Sequence, residues 1–115
     1  MNTNPTLVYR LENSDKIGPY NASDAPILRV DWDRHPLIQD SGIEVEEYHV
    51  FGFPTMEALH NWFDHDMLVT ISNSEESEWF INTYEILSYR VESTHEQCIF
   101  DPDYAELVHT EILSI

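Results

Sequence analysis

The stretch "HVFGFPTMEALHNWFDHD", His49 to Asp66, decides how this chain is read, because it holds the firmest local structure in the sequence. An apolar "FGF" run ends at Pro54. Thr55 is a good N-cap, since its hydroxyl can accept from an orphan backbone N–H of a first helical turn. Glu57 then sits where the helix dipole favours an anion. Ala58, Leu59, Trp62 and Phe63 recur at helical spacing and form one apolar face. The stretch therefore predicts a helix packed on a sheet. Glu57, His60, Asn61 and Asp64 lie outside the apolar face, and His60 and Asp64, at i and i+4, are expected to share an exposed one. With His65 and Asp66 they offer the nitrogen and oxygen ligands that zinc takes. No third or fourth ligand follows at a recognisable spacing. The expectation is solvated histidines among carboxylates, with no metal centre and no cofactor.

Outward from this helix, short strands are expected on both sides. "TLVYRL", Thr6 to Leu11, alternates as a strand, with Leu7, Tyr9 and Leu11 on one face and Val8 and Arg10 on the other. Residues 12–42 read as a long irregular segment punctuated by Gly18-Pro19, Pro26, Pro36 and Gly42. Within it "PILRVDW" suggests a short strand, and Trp32 with the prolines suggests a packed meander. In "IEVEEYHVF" the alternation slips at Glu46-Glu47, as at a bulge or strand break. "MLVTI" fits a strand or a continuation of the helix. "SNSEESEWFINTY" predicts a second helix, because Ser72 with Glu75 makes a capping box and Trp79 and Phe80 would dock it. "YEILSYRV" and "EQCIFD" read as two strands joined by "ESTH", with Cys98 a small buried hydrophobe beside Phe100. Asp101-Pro102 signals one helical turn, and "ELVHTEILSI" a last strand. The sum is α+β: an antiparallel sheet of about four to five strands with one or two helices packed on one face. Residues 1–115 form a single domain.

Charge narrows the function. Twenty-two Asp and Glu stand against five Lys and Arg, a net charge of −17 on 115 residues, while 42% hydrophobic residues are enough for a core. No basic cluster exists to hold nucleic acid directly or to meet an anionic membrane, and no apolar run is long enough to span one. A basic partner, by contrast, would be steered in. A compact chain of this length spans roughly 35 Å, over which duplex DNA carries about 20 charges, the same order as this protein. A homodimer is also compatible with the sequence. The start "MNTNPTLVYR" lacks the pattern of a secretory signal, and the single cysteine, Cys98, cannot form an internal disulfide. Both features fit a reducing cytoplasm.

The order of "VYRLENSDKIGPY", His35-Pro36, "FGFPTMEALHNWF" and "YRV…EQCIF" resembles a family of small proteins of tailed bacteriophages and prophages, over most of the chain. The resemblance implies the cytoplasm of an infected bacterium and no particular chemistry. By analogy with small acidic phage proteins, it suggests an inhibitor that binds the basic surface of a host protein, a nucleic-acid-handling or defence enzyme, in the manner of a DNA mimic. The candidate contact acids are Asp31 and Asp33; Glu44, Glu46 and Glu47; Asp64 and Asp66; and Glu75, Glu76 and Glu78.

Catalytic signatures are absent: no G-x-S-x-G, no P-loop and no HExxH. His95 and Cys98 lie three residues apart, a spacing that does not indicate a nucleophile–base pair. An alternative starts from "VYR", which resembles the first motif of ADP-ribosyltransferase-like, NAD-binding enzymes, with Arg10 at its centre and Glu44 and Glu46 as an acidic pair. The chain lacks a Ser-Thr-Ser-like strand and is short for that fold. Against this enzyme stands the simpler expectation that Arg10 pairs with a nearby carboxylate.

Overall fold

Strand β1, Pro5–Asn13, organises the computed structural model of the chain, which describes residues 4–16, 42–73, 78–94 and 96–113. It pairs antiparallel with β3, Trp79–Leu87, setting Val8 opposite Tyr84, Arg10 opposite Asn82 and Leu11 opposite Ile81. On its far side β3 pairs with β6, Glu106–Ile112, so the order is β1-β3-β6. A second antiparallel sheet has the order β2-β5-β4, from Val50–Gly52, Cys98–Phe100 and Val91–Ser93. Tyr9 and Phe53 join the two sheets through a pair of backbone bonds, Tyr9 N–H to the Phe53 carbonyl at 2.9 Å and Phe53 N–H to the Tyr9 carbonyl at 2.7 Å. Glycine at position 52 permits this approach. A Cβ there would stand 3.0 Å from the Tyr9 carbonyl oxygen and 3.1 Å from the Phe100 ring.

Both faces of β1 and β3 are covered, which separates two cores. On one face Leu11, Trp79 and Ile81 pack with Phe53 and with two helices, through Ala58, Leu59, Trp62, Phe63, Leu68 and Ile71. On the other, Val8, Tyr84 and Ile86 pack with Cys98 and Phe100 of the second sheet. The α+β class holds, with sheet predominating. Among the described residues, two three-stranded sheets joined by one bridge take the place of the one expected sheet.

Helix α1, Met56–Trp62, follows the expected logic: the Thr55 hydroxyl accepts from Ala58 N–H at 3.0 Å, and Ala58, Leu59 and Trp62 are buried. Its last turn closes with Phe63 N–H on the Leu59 carbonyl at 2.9 Å. Asp64 then caps a separate helix, α2, His65–Ser72, by accepting from Met67 N–H at 2.9 Å. His60 and Asp64 therefore do not share a helix, which corrects the expected i, i+4 pair.

The larger correction concerns "SNSEESEWFINTY". Ser72 ends α2 instead of starting a helix, its hydroxyl bonding to the Val69 carbonyl, and Trp79 onward is strand β3. The reason is position. A central strand buried on both faces shows no apolar–polar alternation, so periodicity cannot distinguish it from a helix. In "IEVEEYHVF" the strand is confined to β2, and the slip at Glu46-Glu47 is a turn closed by His49 N–H on the Glu46 carbonyl. "YEILSYRV" spans the end of β3, a 3₁₀ turn at Ser88–Arg90 and the start of β4. A 3₁₀ turn at Pro102–Tyr104 and strand β6 follow as expected. The segment "PILRVDW", Trp32 and the prolines at 19, 26 and 36 lie outside the described residues.

Trp62 is 4% exposed and stacks tilted on Phe53 at 5.9 Å between ring centroids. Trp62→Ala should cost about 3–5 kcal/mol of unfolding free energy. Urea titration reads this directly, and an unchanged midpoint would remove Trp62 from the core.

Candidate functional site

Two arrangements of charged residues stand out, one inside the protein and one on its surface. The inner one sits on the face of β1 and β3 that meets the second sheet. Arg10 Nε donates to Glu12 Oε2 at 2.8 Å, Nη1 to the Phe51 carbonyl at 2.6 Å and Nη2 to the Lys16 carbonyl at 3.4 Å. Glu12, 1% exposed, also accepts from Asn82 Nδ2 at 2.7 Å and from the Tyr84 hydroxyl, both on β3. One strand thus places two side chains of the same parity on a face where their charges meet. Burial pushes the Tyr84 phenol well above its ordinary pKa, and the hydrogen bond and negative charge of Glu12 add to this. Arg10 is buried with its guanidinium turned to Glu12 and two backbone carbonyls. Glu44 and Glu46, the acids grouped with it in the enzyme alternative, are exposed in the segment before β2.

The outer arrangement is the acidic surface. Glu44, Glu46, Glu47, Asp64, Asp66 and Glu78 are all exposed. Asp31, Asp33, Glu75 and Glu76 lie outside the described residues, as does His95. Asp64 has a structural duty besides, as the cap of α2. Among the described residues, no group of three or more His, Cys, Asp or Glu comes together as a metal site would require. Strand pairing brings together acids that sequence proximity does not reveal. Glu85 of β3 stands directly opposite Glu106 of β6, both exposed. Like charges facing across a ladder destabilise the pair. Local patterning could not show this contact: "YEILSYRV" and "ELVHTEILSI" both read as strands, but only the strand order sets Glu85 against Glu106.

Of the three described basic residues, Lys16 and Arg90 are exposed and only Arg10 is buried. Arg10 is interior, and the Arg90 guanidinium lies over the Tyr104 ring at 3.7 Å and the Tyr89 ring at 5.1 Å. Among the described residues, Arg10–Glu12 is the one ion pair between side chains.

A family model described as the bacteriophage T4 Y00F protein matches residues 1–114, nearly the whole chain. The chain belongs to this family. The match agrees with the phage resemblance carried by the order of its motifs. No curated protein and no solved structure matches it. Membership places the chain in a bacteriophage protein family and names no activity. Among the described residues, no helix is long and apolar enough to cross a membrane.

The inner cluster generates a stability test. Arg10→Met leaves the Glu12 charge buried and unpaired, and should destabilise by about 3–5 kcal/mol. Adding Glu12→Leu should recover part of that loss, since it removes the unpaired charge but leaves Asn82 Nδ2 and the Tyr84 hydroxyl without their acceptor. Equal stability of Arg10→Met and wild type would show that the pair has no structural role.

A second test follows from buried neutral groups. Burial pushes the Cys98 thiol up to about 12, and in the unfolded chain Cys98 and Tyr84 ionise at ordinary values of 9.0 and 10.0. Above those values the folded state retains protons that the unfolded state releases. The stabilisation from both groups is therefore complete below about pH 9 and is lost progressively as pH rises above it. Urea midpoints across this range should fall, and Cys98→Ala should flatten the first part of the fall. A midpoint that holds constant through the range would contradict the burial of both groups.

Proposed function

We propose that this phage protein is a non-enzymatic binder whose acidic surface meets a basic surface of a bacterial host protein in the host cytoplasm. The partner class that fits best is an enzyme that handles nucleic acid or serves defence, with the binder occupying the groove meant for phosphates. The observation that carries this reading is the segregation of charge. The chain bears −17, its described carboxylates other than Glu12 and the half-buried Asp101 are exposed, and two of its three described cations serve packing. The molecule measures 44 × 32 × 25 Å. Duplex DNA carries about 26 charges along a length of 44 Å, so the two densities are of the same order. Glu85 opposite Glu106 adds a local motive, because a basic partner would relieve a repulsion that the isolated fold leaves standing.

Exposed carboxylates contribute only about 0–1 kcal/mol each, so their joint effect falls on encounter rate and on choice of partner. Capture from host extract, followed by association kinetics, tests the reading. Glu44, Glu46 and Glu47 changed together to Gln should slow association. Adding Asp66→Asn and Glu78→Gln should abolish binding with the melting temperature kept. Duplex DNA should compete. An affinity equal at about 50 mM and 500 mM salt, between which screening differs strongly, would sink the proposal.

A further inference from the structure

Every residue of β6 from Glu106 to Ile112 is exposed. The strand is bonded on one side to β3, and among the described residues no strand pairs with its other edge. Leu107, Val108 and Ile112 stand on it as large exposed apolar side chains, Ile112 at 61%. Free edges of this kind invite pairing with another chain. The backbone shows which groups are available. Leu113 N–H bonds to the Trp79 carbonyl at 2.8 Å, toward β3. Antiparallel ladders alternate, so Ile112 and Thr110 direct their N–H and C=O groups away from β3.

We infer that β6 pairs antiparallel with β6 of a second copy, about a two-fold axis normal to the sheet at Thr110, making one continuous six-stranded sheet. The register follows from side-chain chemistry. An axis at Thr110 sets Thr110 against itself, His109 against the partner's Glu111, and Val108 against the partner's Ile112. Each of these pairings is favourable across strands: hydroxyl with hydroxyl, imidazole with carboxylate, apolar with apolar. An axis one residue later sets Glu111 against itself, a direct repulsion. An axis one residue earlier sets Leu107 against the partner's Glu111, and Ile112 against the partner's Glu106. A two-fold pairing also closes on itself, so it uses the edge up without growing into a fibre.

This inference is independent of which protein the acidic surface meets, and salt separates the two. Two chains of −17 repel, so the dimer should strengthen as salt rises from about 50 to 500 mM, whereas capture of a basic partner should weaken. Sedimentation of the full chain should give twice the monomer's mass at high salt, and Ile112→Glu should return it to a monomer with an unchanged melting temperature. Thr110→Cys should form a disulfide-linked dimer under mild oxidation, because the chain's own Cys98 is fully buried. Glu106→Cys is the control, since the proposed register separates the two copies of residue 106 by eight residues, about 27 Å, too far to bridge. A monomer at every salt concentration would overturn the inference. So would cross-linking of Glu106→Cys as readily as Thr110→Cys, or a dimer that survives Ile112→Glu.

Discussion

The buried ion pair between Arg10 and Glu12 is the constraint to which both sheets answer. Removing two charges from water costs several kcal/mol per ion, and the mutual attraction offsets this only with good geometry and further hydrogen bonds. Here the conditions are met from three directions. Glu12 accepts from Arg10, Asn82 and Tyr84, and Arg10 also binds the carbonyls of Phe51 and Lys16. The contacts to Asn82 and Tyr84 fix β1 against β3, while the contact to Phe51 fixes β1 against β2. A shift of one residue along β1 would turn Arg10 and Glu12 toward the face where Trp79 and the helices pack. Both charges would then lie in an apolar core without partners. The pair thus selects one register from several that hydrophobic alternation alone would allow.

Local signals in the sequence survived into the structure where one element decided them. Thr55 caps α1, the alternation break at Glu46-Glu47 is a turn, and Asp101-Pro102 starts a short 3₁₀ turn. What failed depended on partners distant in sequence. Trp79 to Tyr84 carries no visible period because its two faces belong to two different cores, one with Trp79 and Ile81, the other with Tyr84. The capping box at Ser72 and Glu75 is a pattern that α2, arriving from Asp64, overrode. Glu12 opens the segment that reads as irregular, yet it lies at the centre of the polar cluster, because its partners Asn82 and Tyr84 are 70 and 72 residues away. The exposed acids of the candidate surface needed only their residue type. Their juxtaposition, as at Glu85 and Glu106, needed the strand order.

Charge and sheet edge bear on each other. A chain of −17 with an open, partly apolar edge strand combines a force that keeps copies apart with a surface that draws them together. Repulsion between whole molecules acts over a Debye length, roughly 8 Å at physiological salt, while backbone pairing acts only at contact. Random encounters between edges are therefore discouraged at a distance that only a well-matched register can repay on contact. The acidic surface would then do two things with the same carboxylates. It would bring a basic partner in, and it would restrict contacts between copies to the one pairing in which His109 faces the partner's Glu111. The register shift in β6 at Val108, opposite Thr83 and Tyr84 of β3, bends the strand at one end of the proposed pairing and limits the length of edge that a second chain can follow.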